Sequence, residues 1–317
     1  MISVIVIGKN EGDRLADCFQ SIDDALKTLQ HETIYIDSHS TDDSLRIAAS
    51  FGAKAFLLDS NETTAGLGRL AGTAQAHGEW LLFLDGDMQL RKGFAEEALK
   101  LSFSQGFAAV CGIRDDIYID ETGSHKLINN YFDCRTPRIC PEFGGALFIR
   151  AEALQKAGGW SGNTVACEEA ELHARLLADR QRIAEIPVPM ILHTDAVRDT
   201  RGLVSTVFSK RRLGEGQALR CALDHHRLFA YLHFERIKYA FFILDALSLI
   251  AFIVLFLKAL PGIFLFQFFQ IGYFLARGRI RAFVSQKLFF FSLIPGILSY
   301  HSLDSGCTEV SPWAWHQ

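Results

Sequence analysis

The chain has 317 residues, a formal net charge of -4 and an apolar fraction of 49%. It is longer than one average domain, and the charge balance argues against a nucleic-acid partner held by bulk electrostatics. Seven cysteines without a Cys-x-x-Cys pair argue against a disulfide frame or a zinc site and for a reducing compartment.

Met1 runs straight into Ile2 to Ile7, so no signal peptide is expected. That run reads as a buried strand, closed by Gly8 to Gly12, and a helix follows with Leu15, Cys18, Phe19, Ile22 and Leu26 at helical spacing. Thr33 to Ile36 is a second strand ending in the polar stretch Asp37 to Ser44, whose Thr41 or Asp42 can cap a helix from Ser44 to Phe51. Ala55 to Leu58 is a third strand, and Gly66-Leu67-Gly68-Arg69 leads into a helix from Leu70 to His77. No Gly-Lys-Ser/Thr follows those glycines, which excludes a phosphate loop.

A fourth strand, Trp80 to Leu84, is apolar on both faces and ends abruptly on Asp85-Gly86-Asp87. Strand alternating with helix four times predicts an α/β fold with a parallel, doubly wound sheet. The polar clusters then converge on the sheet edge where such folds bind ligands. Two carboxylates at one strand end repel each other unless a hard divalent cation lies between them. A strand followed by a polar turn accounts for the same residues equally well. Beyond them, Val110 to Arg114 reads as an edge strand and Tyr118 to Pro141 as a loop-rich segment over the site.

The last third changes character. Leu203 to Phe234 interleaves apolar residues with Lys210, Arg211, Arg212, Arg220 and Arg227, which suits either a membrane surface or a solvated helix packed on the first domain. The runs 239–257, 263–276 and 282–300 are phenylalanine-rich and nearly uncharged, as expected of membrane spans or of buried helices. Arg236 and Lys238 before the first run, with Arg277, Arg279 and Arg281 after the second, put both flanks on the cytoplasmic side of a hairpin.

Six segments in order resemble a family 2 glycosyltransferase of the GT-A fold: Ser3-Val4-Ile5-Val6 with Lys9-Asn10-Glu11, Ile36-Asp37-Ser38, Arg69 ahead of Gly78-Glu79-Trp80, Leu82 to Asp87, Gly144-Gly145 through Trp160, and Glu168-Glu169 with Arg175. The resemblance covers Met1 to about Asp195. It implies that Asn10, Glu11 and Asp37 cradle the nucleoside of a nucleotide-sugar donor, with Arg69 near the base or diphosphate. It further implies that Asp85 contacts the ribose and that Asp87, helped by Asp85 and His193, holds a divalent cation, Mg²⁺ or Mn²⁺. A lone histidine in such a place is more often structural than a ligand or a phosphate contact. Glu169, or its neighbour Glu168, is implied as the base that deprotonates the acceptor.

The family's processive members carry Gln-x-x-Arg-Trp, whereas here Lys210-Arg211-Arg212-Leu213 lacks the tryptophan, which implies transfer of one sugar at a time. Leu70 stands where the family often has asparagine. The expected organisation is a catalytic domain at 1–202, basic interfacial helices at 203–238, transmembrane or membrane-embedded helices at 239–300 and a tail at 301–317. The expected activity is an inverting hexosyl transfer from a nucleotide-sugar donor, a UDP-sugar by family habit, to a membrane-associated, polyprenyl-linked acceptor. The catalytic domain would face the cytoplasm at the inner or plasma membrane. A catalytically silent nucleotide-sugar-binding scaffold and a nucleotidyl transferase are the other classes the residues admit.

Overall fold

The computed structural model describes residues 1–60, 63–119, 125–196, 209–255, 267–273, 280–300 and 310–313. Among the described residues an eleven-stranded mixed sheet organises the chain. Strands β1 (Ile2–Gly8), β2 (His31–Asp37), β3 (Lys54–Leu58) and β4 (Trp80–Asp85) form a parallel half in the order β3-β2-β1-β4. The second half begins where β9 (Leu147–Arg150) pairs antiparallel with β4. It continues through β6 (Ala109–Ile119), β10 (Ile183–Ala196) and β5 (Met88–Leu90), with β7 (His125–Ile128) paired to β6 and β8 (Arg138–Ile139) to β10. β11 (Val310–Pro312) covers the open side of β3.

The apolar runs bury both faces of the central strands because side chains alternate across the sheet. Val4, Val6, Leu82 and Leu84 face α1 (Gly12–Leu26) and α4 (Phe94–Gln105), packing on Leu15, Phe19, Ile22 and Phe94. Ile5, Ile7, Leu81 and Phe83 face the other way, into a core with Leu67, Trp160 and Leu172. Each fully buried aliphatic or aromatic side chain contributes roughly 1.5–3 kcal/mol. The centre of the sheet is therefore the rigid base on which its polar edge stands.

Three sequence expectations change. β6 is an interior strand of eleven residues, flanked by β9 and β10, not a short edge strand. Its outer half, with Arg114, Asp115 and Asp116, hid the strand because those charges are paired within the sheet edge. The third helix, α3 (Ala65–Ala74), starts five residues early, capped by the Thr64 hydroxyl that accepts from the Leu67 N–H at 3.1 Å. Its glycines serve close packing: a Cβ on Gly66 would lie 2.1 Å from the Ser161 carbonyl oxygen, and one on Gly72 would lie 2.4 Å from Ile5.

The third change concerns the C-terminal helices. Among the described residues no helix is long and apolar enough to cross a membrane, so the spans expected at 239–257 and 282–300 find no support there. Asp245, Gln286 and Lys287 interrupt those runs and are turned inward. The run 263–276 lies mostly outside the described residues, as does most of the tail. Of the basic stretch, Gly214–Asp224 forms a helix that packs Ala218 and Ala222 against Ala174 of α6 (Glu168–Ala178), so this part supports the sheet domain.

Candidate active site

The loops after β1 and β2 clasp one another. Asn10 adopts a left-handed φ of 57° and its Oδ1 accepts the Thr41 N–H at 2.8 Å, while its own N–H donates to Ser40 Oγ at 2.8 Å. Beneath them Asp37 is fully buried, accepting from the Ser40 N–H at 2.7 Å and from the Tyr35 hydroxyl at 3.1 Å. Glu11 packs against Gly86, where a Cβ would lie 3.1 Å from its Cγ. The Glu11 carboxyl is pushed up to about 7 by burial and then by the charge of Asp87, against the opposing pull of Arg14. Asn10, Glu11 and Asp37 thus line one edge, next to the aspartates that end β4.

Arg69, on α3, is the hub. Its side chain is 1% exposed, and its Nη2 donates to Asp85 Oδ1 at 2.9 Å while Nη1 reaches Glu168 Oε1 at 3.0 Å and Glu169 Oε1 at 3.4 Å. The guanidinium also stands 4.9 Å from the ring of Trp160. One buried cation therefore gathers three carboxylates from β4 and α6. Expected beside the base or diphosphate, Arg69 instead has its fork taken up by these acids, and it organises them. A planar fork suits this task where a lysine does not.

Glu168 is buried against Arg69, whereas Glu169 keeps a quarter of its side chain exposed. Burial and the neighbouring Glu168 push the Glu169 carboxyl up to about 7, with Arg69 pulling the other way. That value is suited to a general base acting near neutral pH.

The sheet's register builds the second cluster. β10 pairs with β5 so that His193 lies opposite Met88, one residue from Asp87, and with β6 so that His193 lies opposite Asp116. His193 Nε2 comes 3.2 Å from Asp87 Oδ2, and Nδ1 comes 3.0 Å from Asp116 Oδ1, which also accepts from Arg114 Nε at 2.8 Å. Burial would lower the His193 pKa, but the hydrogen bond and charge of Asp87 outweigh it and raise the imidazole above its ordinary value. Asp87 Oδ1 is buried without a hydrogen-bond partner. This orphaned carboxylate oxygen, beside an imidazole oriented by a second carboxylate, offers two ligand atoms that suit a divalent cation.

Arg114 and Asp116 escaped the sequence reading. Their i, i+2 spacing puts both on one face of β6, a signal that required the long strand to be recognised first. Trp160 lay within a matched segment, but its place against Arg69 was not foreseeable from spacing.

The glycosyl transferase family 2 model matches residues 3–162. Uncharacterized glycosyltransferases of Rickettsia conorii and Rickettsia felis are each 33% identical over 100 residues, 30% of this chain and 32% of theirs. The chain thus spans about a third of the length of the curated relatives it matches. Among solved structures, residues 1–349 of S. aureus TarS with UDP-GlcNAc superpose with a TM-score of 0.56 at 18% identity, over 69% of this chain and 64% of that one. The same fragment without a named ligand gives 0.53 at 18% identity, over 74% and 71%. At that identity the likeness speaks for the fold alone. With the family model matching half of its length, and a mixed sheet that gathers the matched acids at one edge, the chain belongs to glycosyl transferase family 2.

Proposed function

We propose that the chain is an inverting, non-processive hexosyltransferase that moves one sugar from a UDP-sugar to a membrane-associated acceptor, a polyprenyl-linked one by preference. The observation that carries this reading is the Arg69 hub, which holds Asp85 and the Glu168-Glu169 pair together at the strand ends. A UDP-sugar donor is favoured by the likeness to TarS, whose structures hold UDP-GlcNAc and UDP. Asn10 and Glu11 border the nucleoside, with Asp37 buried beneath them holding the Ser40 turn, and Asp85 borders the ribose.

Glu169 takes the proton of the acceptor hydroxyl as its oxygen bonds to the anomeric carbon. The bond to the diphosphate breaks on the opposite face, and the nucleoside diphosphate leaves with the electron pair. A single displacement of this kind inverts the anomeric centre. A phosphate acceptor is already anionic and asks less of the base. Asp87, His193 and Asp85 would hold Mg²⁺ or Mn²⁺, which supplies positive charge to the departing diphosphate. His193 is kept in one orientation by Asp116, and Arg14, 3.7 Å from Asp87, adds charge at the same place.

With a membrane-associated acceptor and basic flanks at Arg236 and Lys238, the catalytic domain would act on the cytoplasmic face of the inner or plasma membrane, in cell-envelope polysaccharide synthesis. The test is transfer or hydrolysis of UDP-sugars by the full chain with Mn²⁺. Activity that Asp87→Ala and Glu169→Gln both abolish is expected. UDP-sugar binding without turnover in the unmodified chain would overturn the reading in favour of a silent scaffold.

A further inference from the structure

The three C-terminal helical segments, Arg236–Leu255, 267–273 and Ile280–Ser299, are built inside out. Among their described residues from Ile237 onward, every exposed one is apolar or glycine. Ile243, Leu247, Phe268, Phe291, Ile294 and Leu298 all stand more than half exposed, Phe291 at 74% and Leu298 at 76%. The polar groups lie inside. Asp245 is buried and its Oδ1 accepts from Lys287 Nζ at 2.6 Å and from Gln270 Nε2 at 3.0 Å, while Gln286 donates to the Lys238 carbonyl at 3.2 Å.

In water this arrangement costs twice, by exposing large apolar side chains and by desolvating an ion pair. In hydrocarbon the first cost vanishes, because the exterior is already among its own kind, and the inward Asp245, Lys287 and Gln270 keep the charge away from the lipid. A protein partner would ask for polar groups within the patch as well as at its rim, and among the described residues of this face every exposed one is apolar or glycine.

The charge sits where the apolar surface meets the sheet domain. Lys210, Arg211 and Arg212 form an exposed 3-10 turn, Lys210–Leu213, whose end touches the Ile280–Ser299 helix so closely that a Cβ on Gly296 would lie 2.3 Å from the Leu213 carbonyl oxygen. Three cations flanking an uncharged apolar face match the headgroup layer of an anionic bilayer.

The loop that leads to the acids is held by the Gly214–Asp224 helix, whose Gly216 packs on the Ile280–Ser299 helix, and by Tyr300 at the end of the latter. Asn163 Nδ2 donates to the Tyr300 hydroxyl at 3.2 Å, the Val165 N–H donates to Gln217 Oε1 at 2.9 Å, and a Cβ on Gly214 would meet the Ala166 carbonyl oxygen at 2.7 Å. Glu168 and Glu169 begin α6 two residues later.

We propose that the described segments 210–255, 267–273 and 280–300 form a lipid-docking unit that embeds its apolar face in an anionic phospholipid bilayer, and that this seating steadies the 161–167 loop and with it the position of Glu169. Only the catalytic consequence rests on the transferase reading; lipid docking stands without it.

The full chain, purified in detergent, is diluted into vesicles of phosphatidylcholine alone or mixed with phosphatidylglycerol and floated. Binding that favours the anionic vesicles is expected. The double substitution Phe291→Glu, Leu298→Glu weakens binding by about a hundredfold. Lys210→Glu with Arg211→Glu weakens it by about thirtyfold on anionic vesicles only. Both variants keep the thermal transition of the unmodified chain, since all four side chains are exposed. Absence of vesicle binding, binding indifferent to these substitutions, or a stable lipid-free dimer lost in the Phe291→Glu, Leu298→Glu variant would overturn docking. Amide exchange at 161–167 slows when vesicles are bound, and unchanged exchange would overturn the coupling alone. Intact lipid binding without UDP-sugar turnover would sink the transferase reading and leave docking standing.

Discussion

The two halves of the molecule treat charge in opposite ways. β1 and β4 bury all but their last residues in apolar layers and deliver carboxylates only where the strands end, close to solvent. The helices from Arg236 to Ser299 bury Asp245, Gln270 and Gln286 and leave phenylalanine and leucine outside. Charge at the edge of an apolar core is available to a ligand; charge inside an apolar shell can only hold helices together. The same residue types thus mark chemistry in one region and solvent preference in the other.

The sharpest way to separate these roles is to neutralise one charge in each. Glu169→Gln is expected to lower sugar transfer by about 10²–10⁴, the range typical of a lost general base. In the unmodified chain the rate should rise as pH passes through about 7, where Glu169 loses its proton. The stability follows the opposite sign. Because the folded carboxyl binds its proton more tightly than an unfolded glutamate, the stabilisation is complete below the ordinary value of 4.5 and is lost as pH rises through about 7. Glu169→Gln should therefore raise the melting temperature at pH 8 by about 2–4 °C. A rate flat with pH would remove Glu169 from the base's role.

Removing a buried cation breaks the comparison from the other side. Arg69→Met leaves three carboxylates gathered without a counter-charge and is expected to cost about 3–5 kcal/mol in denaturant unfolding. Lys287→Met should destabilise the helical unit in the same manner. Adding Asp245→Leu should restore it to within about 1–2 kcal/mol, since a buried pair exchanged for apolar residues is close to neutral. No single second substitution can rescue Arg69, which serves three acids on two elements.

A smaller effect belongs to Asp116. Asp116→Asn should weaken Mn²⁺ binding, measured by calorimetry, by about 10–100-fold while leaving the fold intact. Unchanged affinity would mean that the imidazole of His193 needs no partner behind it. The smallest effect lies far from either cluster: Arg180, exposed and left-handed with φ 57° just past α6, should yield about 0.5 kcal/mol of stability on replacement by glycine.

What the amino-acid order revealed follows the same division. β1 to β4 were legible because uninterrupted apolar runs ended on Gly8, Asp37, Leu58 and Asp85. The acids of the site were legible because they fell at those ends or in the Glu168-Glu169 pair. β6 and β10 were harder, since their outer halves carry Arg114, Asp116, His193 and Asp195, and charges in mid-strand mimic a loop until their partners are known. Arg69 was expected at a phosphate because its burial depends on Trp160, ninety-one positions away in the chain, and on acids that local pattern cannot bring together. In the last third hydropathy alone could not distinguish helices that cross a bilayer from helices that hide an ion pair.

Gly145 sets a practical limit on redesign. A methyl group there would stand 2.5 Å from Asp85 Oδ2 and 2.7 Å from Arg69 Nη2, so bare main chain roofs the ion pair and leaves no room for a substituent. Attempts to retune ligand choice gain nothing by mutating this position, since any side chain would dismantle the acids before it met a ligand. Libraries are better aimed at the solvent-facing side of the β6 edge, where Tyr131 is half exposed and Arg114 rests against its ring.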